Sequence, residues 1–426
     1  MSRNPSTLQK LENQNLQNIL SEQIQKCSRH HTRQCPELPD MTFIMACLKR
    51  VITQHKSGRD FLQFLHDVEG QEIKSSTFFE AFKSQRRLHT VRESSFLYHD
   101  LLSKLLTSAG VDHLSQFPEL TGYEVFSADG HFIKHSSHLK KKQGSNKIYA
   151  AGNIYAQNIR NGLLQLLTPV TDGSAKKHEL PHFKNAIEIL NFSKKIIWVL
   201  DRAYMDYRWW EKQKAMKRNI ISRAKSNMSV LYCGDLSFNP HDLVNAGVVS
   251  DRLGGFSTTA STIRIIEYIN PEDGEEFTFY TTLPSNIRPG VICWLYFLRW
   301  KIEKAFDCFK NDLGEKKAWG TGTTPLQIQG YSICIIYNFI HFLSETIQKT
   351  HDCKDNKSER KYHDNLKKRE TIAKSQGHFI HPLIFLSRTI TKISAQVIRV
   401  VRNHFFHNKP LRLIIPLFIQ RLEAYL

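Results

Sequence analysis

The fold of this chain is decided by one stretch of sequence, residues 294–310, which reads WLYFLRWKIEKAFDCFK. At roughly 100° of rotation per residue, its apolar side chains fall in one helical stripe about 80° wide. That stripe contains Leu295, Leu298, Ile302, Phe306, Phe309 and, just beyond, Leu313. The adjacent stripe, about 60° wide, contains Tyr296, Arg299, Glu303 and Lys310. The pattern predicts a helix with one buried side and a carboxylate, two cations and a phenol beside it.

The polar stripe has an ordinary explanation as well as a chemical one. Arg299 and Glu303 are four residues apart, the spacing of a solvent-exposed ion pair on a helix. A simple solvated face would not require a tyrosine and a lysine in the same narrow stripe. The stripe is therefore a candidate site.

Two aspartates follow apolar strand candidates earlier in the chain. Asp129 comes after residues 124–128, and Asp201 ends the apolar run of residues 195–200. A single aspartate at a strand end is usually a turn former. Two aspartates together with Glu303 make the set of oxygen ligands that Mg²⁺ or Mn²⁺ requires. Three carboxylates can hold two such ions about 4 Å apart at a phosphodiester.

The order of predicted elements divides the chain into five regions. Strands and helices alternate from about residue 120 to 225, which predicts a mixed α/β architecture. Residues 270–274, Asn-Pro-Glu-Asp-Gly, predict a hairpin between two strands at 263–269 and 276–282. The regions are a helical one at 1–118, the first part of the α/β core at 119–225, a β-rich insertion at 226–290, the second part of the core at 291–350 and a basic linker with further helix at 351–426.

The composition favours a nucleic-acid partner. Of 426 residues, 59 are Lys or Arg and 40 are Asp or Glu, so the formal net charge is +19. A surplus of this size favours a polyanion, because basic side chains displace the counterions condensed on phosphates. No apolar run is long enough for a membrane span and no signal peptide is visible, so we expect a cytoplasmic protein with no membrane partner.

The residues described so far resemble the DDE transposases of the insertion-sequence four family. The spacing Tyr-x2-Arg-x3-Glu-x6-Lys is met by Tyr296, Arg299, Glu303 and Lys310. The segment Asp201-Arg202-Ala203-Tyr204 is similar to the family's second-aspartate block, usually Asp-Arg-Gly-Tyr, and Asp129-Gly130 is similar to its first. The resemblance covers residues 120–345 and departs from the usual pattern at Ala203.

The resemblance implies a fold, a reaction and a role for each residue. The fold is a ribonuclease-H-like catalytic domain interrupted by the β-rich insertion. Asp129, Asp201 and Glu303 would bind two magnesium ions, with manganese as the alternative. Phosphates of the element end would be held by Tyr296, Arg299 and Lys310, with Arg202 in support.

The implied reaction is cleavage of double-stranded DNA at the terminal inverted repeats of a mobile element, then strand transfer into target DNA. Two ends must be cut together, so the resemblance implies a homodimer in the synapsed state, in a bacterial cell near the nucleoid. Family members stabilise a flipped base with a tryptophan of the insertion, but residues 226–290 contain none. The alternative is a non-catalytic DNA-binding protein derived from a transposase.

Three further patterns suggest binding surfaces. Residues 59–70 and 75–87 predict two short helices, the second capped by Ser76, with Lys83, Arg86 and Arg87 pointing outward. They fit a DNA-reading helix-turn-helix or an ordinary helical hairpin. Lysines after the first aspartate would line the DNA path or form a solvated loop; they are Lys134, Lys140, Lys141, Lys142 and Lys147. Residues 27–35 carry Cys27, His30, His31 and Cys35, which are too crowded to make zinc the favoured interpretation.

Overall fold

The structure is a computed structural model that describes most of the chain. The described residues are 11–28, 36–55, 57–133, 151–170, 175–189, 195–225, 230–256, 262–271, 274–315, 317–320, 322–351, 397–406 and 409–424, with five single positions between 364 and 375. The lysine cluster at 134–147, most of the Cys/His pattern at 27–35 and nearly all of the basic linker lie outside these residues.

The described part of the N-terminal region is helical. Its five helices are α1 (Leu16–Ser28), α2 (Asp40–Thr53), α3 (Gly58–Glu69), α4 (Ser75–Ala81) and α5 (Gln85–Ser108). Helix α3 begins at Ser57, whose side chain accepts a hydrogen bond from the Asp60 amide, and ends at Gly70 with φ +63°. The glycine therefore ends the helix as its position in the sequence predicts.

The basic end of the predicted second helix differs from the prediction. Helix α4 has no side-chain cap, so the Ser76 cap is wrong, and the chain turns before α5, which Ser84 caps through the Arg87 amide. Arg87 does not point outward: it is 4% exposed and its Nε lies 3.1 Å from Asp40 Oδ1.

Arg86 also pairs with Asp40. Of the three predicted outward cations only Lys83 is exposed, and it pairs with Glu80. A buried cation is stable only with a partner, and Asp40 supplies it. Two of the three charges are therefore used inside the protein and are not available to read DNA.

A nine-stranded mixed sheet forms the centre of the molecule. The strands are β1 (Tyr123–Ile133), β2 (Ala151–Asn158), β3 (Leu164–Val170), β4 (Lys195–Leu200), β5 (Arg218–Arg223), β6 (Leu231–Asp235), β7 (Val248–Gly255), β8 (Ile263–Ile269) and β9 (Glu276–Thr281). Their order across the sheet is β3-β2-β1-β4-β5-β9-β8-β7-β6. Strands β1, β4 and β5 run parallel, and every other neighbouring pair is antiparallel.

The strands of the predicted insertion continue this sheet. Strand β9 pairs antiparallel with β5, matching Ile221 with Thr281. The hairpin predicted at 270–274 joins β8 to β9. The β-rich segment is thus joined to the α/β core by backbone hydrogen bonds.

Helices cover both faces of the sheet. On one face lie α6 (Ala175–Ile189) and α7 (Tyr207–Ala215), which bury Phe183 and Trp210 against Trp198 of β4. On the other lies α8 (Pro289–Leu298), packed on Val199 and Ile221. Beyond the exposed Lys195, strand β4 is apolar and buried because it is covered from both sides, as central parallel strands usually are.

Residues 397–404 are also helical, and three more helices follow the sheet in the described chain. They are α9 (Trp300–Asn311), α10 (Thr323–His351) and α11 (Leu411–Ala424). Helix α10 packs on the N-terminal helices and on β3 within one apolar core. None of the helices in the described residues has the length and apolarity needed to cross a membrane.

Candidate active site

Two aspartates lie side by side at β1 and β4, two neighbouring inner strands of the sheet. In the parallel pair β1–β4, Ala128 is matched with Leu200, so the next residue of each strand lies beside the other. These residues are Asp129, within β1, and Asp201, which follows β4 directly and precedes a 3₁₀ turn at Arg202–Tyr204. The pairing brings together two carboxylates that are 72 positions apart in the sequence.

The third carboxylate comes from helix α9. The predicted single helix over 294–310 is instead two helices, α8 and α9, separated at Arg299. The amides of Arg299 and Ile302 bond to carbonyls three residues earlier, which tightens the chain there. The predicted apolar stripe is nonetheless buried throughout: Leu295, Leu298, Ile302, Phe306, Phe309 and Leu313 are each at most 6% exposed.

Arg299 contacts two of the three acids, and its charge also acts on the third, Asp201. Its Nη2 lies 2.9 Å from Glu303 Oε1, and its Nη1 lies 3.8 Å from Asp129 Oδ2. The side chain is 7% exposed, whereas those of Asp129 and Glu303 are 23% and 38% exposed. A buried cation thus supports two carboxylates that remain accessible from solvent.

The pKa of Asp129 depends on its burial and on the charges of the neighbouring groups. The pKa is raised from 3.8 to about 6, chiefly by burial and to a smaller extent by the negative charges of Asp201 and Glu303. The Arg299 guanidinium and a hydrogen bond from the Gly130 amide act in the opposite direction. Neighbouring carboxylates repel each other, and a cation bound between them offsets this repulsion.

The other predicted residues lie at different depths around this group. Tyr296 is 4% exposed and packs on Phe279, and the charges of Arg299 and Asp201 both act on its phenol. Lys310 is exposed on α9, two turns beyond Glu303. Arg202 is exposed immediately after Asp201. The structure therefore brings Tyr296 and Arg299 to the carboxylates and leaves Lys310 and Arg202 at the surface nearby.

Two residues near the site carry no sequence signal that would have identified them. Glu179 of α6 lies against β1, since a Cβ added at Gly130 would stand 2.9 Å from its Oε1. Its charge, with those of Asp129 and Asp201, also acts on the buried Tyr204 phenol. Trp300 follows Arg299 and is 55% exposed. By contrast Trp294 packs on Phe117, with ring centroids 4.7 Å apart.

Comparison with known proteins identifies the family. Residues 120–339, just over half of the chain, match the family model described as "Transposase DDE domain". No curated protein matches the chain. Among solved structures, it is similar to a cryo-EM structure of the piggyBac transposase synaptic complex with hairpin DNA, at 9% identity and a TM-score of 0.37, over 99% of this chain and 88% of that one. By the match over residues 120–339, the chain belongs to the transposase DDE domain family.

Proposed function

We propose that this protein is an active transposase of the insertion-sequence four type. It would cleave DNA at the terminal inverted repeats of its element and transfer the freed 3′ ends into target DNA. The observation that carries the proposal is the meeting of Asp129, Asp201 and Glu303 around Arg299. Membership of the DDE family supports the same reaction class.

The donor set suits two magnesium ions, or manganese in their place. Three carboxylates supply hard oxygen ligands, and a cation would offset both the burial that raises the pKa of Asp129 and the smaller repulsion from Asp201 and Glu303. Asp129, Asp201 and Glu303 would hold the ions. Bound divalent ions would lower the pKa of an attacking water and stabilise the charge on the phosphodiester oxygens.

The remaining residues would orient the DNA. Arg299 holds Glu303 and Asp129 in position and offers a guanidinium near the reacting phosphate. Lys310 and Arg202, both exposed close by, would neutralise neighbouring backbone phosphates. The buried Tyr296 would act mainly by packing beneath Arg299, whose guanidinium lies 5.7 Å from the centre of its ring.

The sheet supports a ribonuclease-H-like core. Strands β1, β2 and β3 form an antiparallel meander, and β4 and β5 add to it in parallel. The two aspartates lie where the parallel pairing of β1 with β4 ends, close to the position that sites commonly take in α/β folds. We further propose a homodimer in the synapsed state, acting on DNA in the cytoplasm of a bacterial cell.

The test is cleavage of labelled DNA carrying the sequences that flank the gene. Purified protein with Mg²⁺ should produce nicks or breaks at the element ends, and EDTA should abolish them without abolishing binding in a gel-shift assay. Binding without cleavage under all metal conditions would instead support the alternative of a non-catalytic DNA-binding protein.

A further inference from the structure

A second group of ligand-type side chains lies where three segments of the chain meet. His113 is in the connection between α5 and β1, and His341 and Glu345 are one turn apart on α10. The Nε2 atoms of His113 and His341 lie 3.7 and 3.8 Å from Glu345 Oε1. One ligand atom from each of the three residues lies within 4.8 Å of the other two.

The carboxylate at the centre of this group is buried and unsatisfied. The Glu345 side chain is 7% exposed, and its Oε1 accepts no hydrogen bond from the described residues. A buried carboxylate without a hydrogen bond or a cation is strongly destabilising. The positive charge of the nearby Lys301 acts on Glu345 and on both imidazoles, but Lys301 and Glu345 form no ion pair among the described residues. The group therefore has the donors for a cation and a carboxylate in need of one.

We propose that His113, His341 and Glu345 bind a zinc ion or a similar divalent transition metal. Two imidazoles and one carboxylate are zinc ligands, whereas magnesium prefers oxygen ligands alone. Tetrahedral zinc with bonds of about 2.0–2.1 Å places neighbouring ligand atoms about 3.3–3.4 Å apart. The two distances to Glu345 Oε1, 3.7 and 3.8 Å, need to shorten by a few tenths of an ångström. The ligand atoms of the two imidazoles lie within 4.8 Å of each other, so metal binding requires them to approach by up to about 1.5 Å.

The turn between β2 and β3 closes the site. The Asn161 carbonyl oxygen lies 2.9 Å from His341 Nε2. In the metal-bound form His341 carries its proton on Nδ1 and gives the Nε2 lone pair to the ion, and the carbonyl oxygen becomes the fourth ligand. Gly162 permits this close approach: its φ is +75°, and a Cβ there would stand 2.2 Å from Nε2.

The metal would act as a structural link. It would join the connection that follows the N-terminal helices to α10 and to the β2–β3 turn, adding to the ion pair between Asp112 and Arg160. Because its ligands are distinct from Asp129, Asp201 and Glu303, this proposal stands independently of the proposed DNA cleavage. Its role is to hold the helical region against the catalytic core.

The test measures zinc bound by the full chain. The parent protein for this test carries Asp129→Asn and Glu303→Gln, so that the proposed catalytic carboxylates bind little zinc. It is stripped of metal with EDTA, incubated with zinc and gel-filtered, and its bound zinc is then measured by atomic emission. We expect one zinc per chain, lost on adding Glu345→Gln or His113→Asn. Cobalt should give the visible absorption of a tetrahedral site in the parent and not in these two variants.

The matched control is Glu315→Gln. Glu315 is also a buried carboxylate beside a histidine, 2.9 Å from His131 Nε2, but has no second imidazole. The Glu315→Gln variant should keep its zinc. In addition, zinc should raise the melting temperature of the parent protein but not that of the Glu345→Gln variant. His113 lies in a connection and is partly exposed, so His113→Asn serves if Glu345→Gln fails to fold. No zinc retained by the folded parent, or equal zinc in parent and His113→Asn, would overturn the proposal.

Discussion

Arg299 Nη2 lies 2.9 Å from Glu303 Oε1, at the start of α9 and next to the two aspartates at β1 and β4. The same guanidinium lies 3.8 Å from Asp129. An arginine and a glutamate four residues apart also suit an exposed helical pair, but here the arginine is buried. The pair therefore organises a site, and several consequences can be measured.

The first prediction concerns Glu303. Glu303→Gln removes a charged ligand while keeping the shape of the side chain. Loss of a residue that merely supports a metal ligand typically costs 10–100-fold, so loss of a ligand should reduce cleavage by more than roughly 100-fold. Stability should fall by about 1–3 kcal/mol, because the buried Arg299 loses a charged partner 2.9 Å away while Asp129 stays at 3.8 Å. Cleavage of labelled end DNA and urea unfolding measure the two effects.

Asp307→Asn is the matched control for Glu303→Gln. Asp307 lies one turn further along α9, is 57% exposed and pairs only with Lys304, at 3.6 Å. Its cleavage rate should stay within a fewfold of wild type. If both variants lost activity equally, the charge of the helix, not a ligand at 303, would explain the effect.

The second prediction concerns pH and Asp129. A carboxyl whose pKa is higher in the folded protein than in the unfolded one binds more protons when folded, so stability falls as pH rises through the interval between the two values. For Asp129 that interval runs from 3.8 to about 6. In EDTA, the free energy of unfolding of wild type relative to Asp129→Asn should fall by up to about 3 kcal/mol between pH 4 and 7.

Urea unfolding at several pH values measures this difference, and subtracting the variant removes the titration of all other groups. Arg299 lowers the pKa of Asp129, so the interval should extend to higher pH in an Arg299→Gln background. If the difference in free energy of unfolding between wild type and Asp129→Asn did not depend on pH, the pKa of Asp129 would not be raised as described.

The third prediction concerns the buried ion pair of the N-terminal region. Asp40→Ala leaves Arg87, which is 4% exposed, without its carboxylate partner. Breaking a buried pair in this way costs about 3–5 kcal/mol. Glu80→Ala, which removes the exposed partner of Lys83, should cost less than about 1 kcal/mol. Similar costs in chemical denaturation would contradict the buried position of Arg87.

The fourth prediction concerns Trp300. Its ring is 55% exposed beside Arg299 and offers a surface on which an unpaired base can stack. Stacking on an aromatic side chain contributes about 1–3 kcal/mol per base. Trp300→Ala should therefore weaken binding to ends with an unpaired terminal base by roughly 5–150-fold. Trp300→Phe should restore most of it, and fully paired ends should be affected less; equal loss on both would exclude stacking.

Local patterns in the sequence predicted individual elements well. Strands β4 and β8 occur where their apolar runs predict them, and the turn at 270–274 joins β8 to β9. Helix α3 ends at Gly70 as expected. Each of these depends on neighbouring residues alone. Asp129, Asp201 and Glu303 were selected from strand patterns and a helical stripe; Asp129 lies within β1 and not after it, and the roles of the three residues stay a prediction.

Contacts between distant segments were not predictable in the same way. The pairing of Arg87 with Asp40 spans 47 positions, and no local pattern in residues 75–87 distinguishes it from a solvated basic end. The joining of β9 to β5 depends on the register of two strands separated by the whole β-rich segment. Glu179 reaches the site only through the packing of α6 on β1. Such contacts depend on the assembled sheet.

The decisive measurement compares wild type and Asp201→Asn on a supercoiled plasmid carrying both DNA flanks of the gene, in Mg²⁺, with cleavage positions read by sequencing. Asp201 lies beside Asp129 through the β1–β4 pairing. Because asparagine has the same shape as aspartate, Asp201→Asn should leave folding and DNA binding intact. We predict cuts at the element ends with wild type, and a loss of more than roughly 100-fold with the variant. The same products at the same rate from both proteins would contradict catalysis by these three carboxylates.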